Sequence, residues 1–288
     1  MSNSAAETRF ADVGGRRTRY RISGSGPGVL LLHGIGRSLE DWVDVESLFA
    51  LTHTVYALDL AGYGESAAVD GRTTLTKLAR AALAFLAAIA QPGPVAVVGN
   101  SLGGAVALQL AALAPTRVSA LVLVDPAGFG KEVTIALRVL ALPIVGRRLA
   151  RPSRKNALME TQGIFRDQSL VTQDRIELAL RLALRPGGTK VLRDTASSLG
   201  SFRGVKAGWR RRLLAQVAPL GIPTLVVWGE KDRILPATQL NEVRRVFPHA
   251  EWHLFERTGH MPQLEKPQEF AALALDFLHR TTAEEAPA

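Results

Sequence analysis

The chain reads as an α/β protein: a mostly parallel sheet flanked by helices and interrupted by a helical insert. Three observations carry this. Short continuous apolar runs recur in the first and last parts of the chain, as strands buried on both faces require. Helical patterns separate them at βαβ spacing. Between Phe129 and about Val217 the rhythm stops, and helical segments punctuated by Pro143, Pro152 and Pro186-Gly187-Gly188 contain no convincing core strand.

In order, Arg17–Arg21 reads as a polar edge strand, closed by a Gly24-Ser25-Gly26-Pro27 turn. Val29–Leu32, Thr54–Leu60, Val95–Val98 and Val118–Val124 are apolar strands. An alanine-rich helix of strong formers is expected from about Thr74 to Ala90, and another from about Leu102 to Ala114. After Pro219 the alternation resumes: strand Thr224–Trp228, helix Ala237–Phe247, strand Trp252–Phe255 and helix Pro267–His279. The expected division is a core of residues 1–128 and 218–288, with a helical cap at 129–217.

At 288 residues the chain can bury a sizeable core. It has no cysteine, which removes disulfides and thiolate–metal sites. No apolar run reaches the roughly 18 residues needed to span a bilayer. The stretch Met1 to Asp12 is polar and lacks the apolar segment of a signal peptide. A cytoplasmic location is therefore the expectation.

The net charge of +9 is unevenly placed: from Phe129 to Arg212 there are 18 Lys or Arg against 6 Asp or Glu, and elsewhere 17 against 20. A basic balance can serve nucleic acid, an anionic membrane surface or an acidic substrate. No nucleic-acid motif accompanies it, and aromatic residues are sparse there, so no nucleic-acid partner is expected. Within it, the apolar run Val133–Leu142 precedes Arg147, Arg148, Arg151, Arg154 and Lys155. That is either a solvated basic turn behind a packed helix or a face for weak association with anionic lipid.

Gly99-Asn100-Ser101-Leu102-Gly103 follows a strand and opens a helix, which is G-x-S-x-G in strand–turn–helix context. Such a turn lifts the serine hydroxyl above the sheet, and small residues at Gly99 and Gly103 permit the tight backbone. The helix N-terminus favours developing negative charge there. His33-Gly34-Ile35-Gly36 closes another strand. Acyl transfer needs two N–H donors for the oxyanion, and Leu102 with Ile35, or next Gly36, are the candidates. Asp232 follows the strand Thr224–Trp228, and His260 follows Trp252–Phe255, so all four sites fall on the carboxyl edge of the sheet. Their order, Ser101, Asp232, His260, suits a triad in which His260 takes the serine proton and Asp232 orients the imidazole. Asp125, ending the strand Val118–Val124 on the same edge, is an alternative acid.

With these motifs the chain resembles the α/β-hydrolase superfamily, in the branch with a helical cap after the sixth strand. Asp59-Leu60-Ala61-Gly62-Tyr63-Gly64-Glu65-Ser66 is similar to that family's D-x-x-G-x-G-x-S segment. The resemblance implies an eight-stranded, mostly parallel sheet and no metal or organic cofactor. It points to a small-molecule carboxylic ester as substrate, as in carboxylesterases and lipases. Gly99-Asn100-Ser101-Leu102-Gly103-Gly104 is also similar to carbon–carbon hydrolases of aromatic ring-fission products, which carry tryptophan after the catalytic histidine where this chain has Met261. A non-enzymatic ligand-binding role, acyl transfer to another acceptor and the cofactor-free dioxygenase or peroxidase activity of related proteins are the remaining alternatives.

Overall fold

Eight strands form one sheet, and the chain reaches it from both ends. The computed structural model describes residues 7–284, so the first six residues of the N-terminal stretch read for a signal peptide lie outside it. The strands are β1 (Glu7–Asp12), β2 (Arg17–Ser23), β3 (Gly28–Leu32), β4 (Thr54–Leu58), β5 (Val95–Asn100) and β6 (Val118–Val124). A small hairpin, β7 (Gly200–Ser201) and β8 (Gly204–Val205), stands apart, and β9 (Thr224–Gly229) and β10 (Glu251–Phe255) complete the sheet. Its order is β1-β2-β4-β3-β5-β6-β9-β10. Only β2 runs antiparallel to its neighbours. Every residue of β3, β5 and β9 is buried, which is why their sequences are continuous rather than alternating in polarity.

One expectation needs correction. The Arg17–Arg21 segment lies in β2, inside the sheet, and β1 is the edge strand. The β1 sequence lacks an apolar signal because all six residues are exposed or half-buried. It is held by the backbone ladder to β2 and by Arg17, whose guanidinium stacks 3.2 Å from the Phe10 ring centre.

The first helices are α1 (Val43–Phe49), α2 (Leu75–Ala88) and α3 (Leu102–Leu113). Thr74 caps α2 by accepting from the Lys77 N–H. Between β6 and β9 lie α4 (Ile135–Leu140), α5 (Val145–Leu149), α6 (Arg154–Ile164), α7 (Gln173–Ala183), α8 (Gly188–Leu199) and α9 (Ala207–Val217). The chain ends with α10 (Leu240–Val246), α11 (Pro262–Glu265) and α12 (Pro267–Glu284). On one face of the sheet, α2, α3, α9 and α10 share a core; on the other, Trp42, Val45 and Phe49 meet Phe270, Ala274 and Phe277 of α12. The last helix of the insert thus joins the main core, through Leu213, Leu214 and Val217.

The earlier insert helices lie over the carboxyl edge of the sheet, and several hydrogen bonds tie them to the rest of the chain. The Tyr63 hydroxyl donates to Thr195 Oγ1 at 2.8 Å. Arg185 donates to the carbonyls of Gly62 and Ser66. The His260 N–H donates to the Ile164 carbonyl at 2.8 Å. Among the described residues no helix is long and apolar enough to cross a membrane.

Candidate active site

Between β5 and α3 the chain turns at Ser101, with φ 56° and ψ −112°. A non-glycine residue held at positive φ costs on the order of 1–3 kcal/mol and persists where its surroundings over-determine it. Here Ser101 N–H donates to the Val124 carbonyl at 2.9 Å, and the Ser101 carbonyl accepts from Ala127. The turn also depends on missing side chains. A Cβ on Gly103 would stand 2.1 Å from the Leu32 carbonyl oxygen, and one on Gly99 would stand 2.4 Å from the Gly103 backbone.

Ser101 and His260 line one cavity of about 310 Å³. The Leu102 N–H belongs to the first residue of α3, so it has no partner one turn back in the helix. Facing the elbow is the loop after β3. At Gly34 a Cβ would lie 3.4 Å from Ser101 Cβ and 3.3 Å from Asn100 Oδ1, so the loop passes in close contact with the elbow. The Gly34 carbonyl accepts from the Arg37 N–H and from His33 Nδ1. His33 Nε2 accepts from the Leu60 N–H at 3.0 Å, which assigns the ring proton to Nδ1. Burial lowers the His33 pKa, keeping the ring neutral in this brace. Ile35 and Gly36 line the cavity beside Ser101.

His260 and Asp232 stand beyond β10 and β9. His260 Nδ1 meets Asp232 Oδ2 at 2.7 Å, while Asp232 Oδ1 accepts from the Ile234 and Leu235 N–H groups. With Nδ1 engaged, Nε2 is the imidazole nitrogen left for the cavity. Asp125 does not contact His260 through a hydrogen bond. Its Oδ1 accepts from the Gly229 N–H at 2.9 Å, and its Oδ2 is buried without a partner. Burial, reinforced by the Asp232 charge, pushes the Asp125 carboxyl well above its ordinary pKa. Among the described residues, Asp125, Asp232 and His260 are the one group of three whose metal-ligating atoms converge, all within 4.8 Å. The 2.7 Å His–Asp contact leaves no room for an ion between those two atoms.

Sequence reasoning did not single out four further residues. Asn100 Nδ2 donates to the carbonyls of Val124 and His260, linking the elbow to the histidine loop. Glu265 accepts from Gly259 through one oxygen and from Arg166 and Asp167 through the other, joining that loop to the insert. Arg37 and Glu160 face each other on the cavity wall. Only Asn100 had a local signal, its place inside the elbow motif; the others acquire their roles from residues more than a hundred positions away, or, for Glu265, from the same fold-level meeting.

The sequence profile of the alpha/beta hydrolase family matches residues 29–273, from β3 into α12. The chain belongs to the alpha/beta hydrolase family. The chain is 36% identical over 274 residues to the dihydrolipoyllysine-residue acetyltransferase component of the acetoin cleaving system of Cupriavidus necator, covering 94% of this chain and 69% of that one. It is 29% identical to the 2-hydroxy-6-oxo-6-(2'-aminophenyl)hexa-2,4-dienoic acid hydrolase of Metapseudomonas resinovorans, covering 97% and 93%. The solved structure of a serine hydrolase involved in carbazole degradation superposes with a TM-score of 0.79 at 26% identity, covering 96% and 99%. This hydrolase therefore shares the fold of, and resembles, carbon–carbon hydrolases as well.

Proposed function

We propose that this hydrolase cleaves a carboxylic ester through an acyl-enzyme, with Ser101 as nucleophile, His260 as base and Asp232 as the acid that orients it. The observation carrying this is the convergence of the elbow serine and His260 on one cavity, with His260 Nδ1 held by Asp232 at 2.7 Å. Held this way, His260 Nε2 accepts the Ser101 proton as Oγ bonds to the ester carbonyl carbon. The oxyanion meets the N–H of Leu102 and that of Ile35 or Gly36. As the intermediate collapses, the C–O bond to the alcohol breaks and His260 returns the proton to the leaving oxygen. Water, deprotonated by His260, then attacks the acyl carbon; the bond to Ser101 Oγ breaks, and His260 returns the proton to Oγ.

The cavity favours an ester over the acids named for the carbon–carbon relatives. Its wall is largely apolar, with Leu137, Leu140, Met159, Leu182, Leu192 and Ile234, which suits the uncharged acyl and alcohol parts of an ester. Met261, buried beside His260, adds no donor. The test is a panel of p-nitrophenyl esters from acetate to palmitate, run beside one ring-fission product. Steady turnover of esters is expected. Turnover of the ring-fission product alone would replace ester cleavage with carbon–carbon cleavage, and binding without turnover of either would leave a ligand-binding member of the fold.

A further inference from the structure

Arg37 follows the Ile35-Gly36 turn, and its side chain is only 6% exposed. Asp41, four residues on, takes Nε at 3.1 Å and Nη2 at 2.6 Å in a forked contact. That leaves Nη1, which is buried and has no hydrogen-bond partner. Glu160 Oε1, from α6 in the insert, stands 3.8 Å from it, beyond hydrogen-bond reach. The Glu160 side chain is 43% exposed, to the cavity that both residues line.

A donor and an acceptor 3.8 Å apart can both reach one oxygen placed between them. A hydroxyl is the smallest group that accepts from the one and donates to the other. A carboxylate fits worse: Asp41 already balances the Arg37 charge, so Glu160 leaves the cluster negative. The position is also close to the chemistry. Glu160 Oε1 lies 3.8 Å from the point where a Cβ would stand on Gly36, in the loop after β3 that faces the elbow, and Ser101 lines the same cavity.

We propose that Arg37 and Glu160 form a hydroxyl-binding subsite, so that the ester cleaved at Ser101 carries a free hydroxyl a few bonds from its carbonyl. The inference rests on the ester reading above. A site built to bond a hydroxyl rejects the analogue lacking it, because the site's own polar atoms are then left unpaired.

Two isosteric pairs test it, one for each side of the ester: 2-hydroxyethyl butyrate against propyl butyrate, and ethyl 3-hydroxybutyrate against ethyl 3-methylbutyrate. In the wild type, kcat/KM for the hydroxyl member of at least one pair is expected to exceed its partner's by about tenfold. That ratio should fall to about one in Glu160→Leu and to an intermediate value in Glu160→Gln, which keeps the shape but weakens the acceptor. Taking the ratio within each variant cancels any loss of activity common to both esters. Ratios near one for both pairs in the wild type, or a preference unchanged in both variants, would overturn the subsite while leaving ester hydrolysis standing. A wild type that cleaves none of the four esters would instead fail the ester reading itself.

Discussion

The carboxyl groups of Asp125 and Asp232 are paired in the buried edge of the sheet, at the ends of the adjacent strands β6 and β9, with ligating atoms within 4.8 Å of each other. They divide the available partners. Asp232 takes the imidazole and two turn N–H groups, while Asp125 takes the Gly229 N–H and keeps one oxygen unpartnered. Burial, with the Asp232 charge beside it, raises the Asp125 pKa, so Asp125 holds its proton to higher pH than an ordinary carboxyl.

That division predicts the ranking of the two acids. Asp232→Asn should lower kcat by about 10²–10⁴-fold, because the imidazole loses the acceptor that fixes its tautomer. Asp125→Asn should be far milder, since the amide oxygen can still accept from Gly229. Steady-state kinetics on a p-nitrophenyl ester decide it, and the reverse order would transfer the acid role to Asp125.

The same pair predicts a pH dependence of stability. The folded-state pKa of Asp125 is raised above the unfolded value by burial, with Asp232 adding to it. Native protein therefore keeps a proton that unfolded chain releases near pH 4. Stability from this group is full below that pH and is lost as pH rises towards the raised pKa, by at most about 1.4 kcal/mol per pH unit. Urea unfolding from pH 4.5 to 8 should show a shallower decline in Asp125→Asn than in the wild type. Parallel curves would mean that Asp125 is ionised in the native state.

Ser101→Ala should lower kcat by roughly 10³-fold or more, leaving the contributions of the oxyanion donors and of binding. Labelling by a fluorophosphonate should disappear with it. Near-normal esterase activity in this variant would remove Ser101 from the reaction.

A fourth expectation concerns the outer face of the insert. Ile135, Ile144 and Val145 are 72%, 77% and 52% exposed, and Arg147, Arg148 and Arg151 beside them are exposed too. We propose that this apolar, cation-ringed tip meets anionic lipid, where each basic residue contributes about 1 kcal/mol. The protein should co-sediment with phosphatidylglycerol vesicles at low ionic strength and be released at about 0.5 M salt, where charges are screened. Changing Arg147, Arg148 and Arg151 to Gln should reduce binding without altering hydrolysis of a short soluble ester. Equal binding to neutral vesicles would return the tip to ordinary surface.

The sequence by itself determined the fold class, because central parallel strands are buried on both faces and so appear as apolar runs such as Val29–Leu32 and Val95–Val98. It also determined which residues stand at the carboxyl edge, since each candidate follows a strand: Ser101 after β5, Asp125 after β6, Asp232 after β9 and His260 after β10. Strand β1 escaped because a ladder of backbone hydrogen bonds leaves no mark on side-chain polarity. Tertiary structure alone shows which carboxyl meets the imidazole. The sequence puts Asp232 first and Asp125 second on the same edge, and only the direction of the His260 ring, set by how its loop packs, gives Nδ1 to Asp232. Tertiary structure likewise brought Glu160 of the insert against Arg37 of the β3 loop. These two lie 123 residues apart in the chain, and no local pattern encodes a contact that exists only once the insert has folded over the sheet.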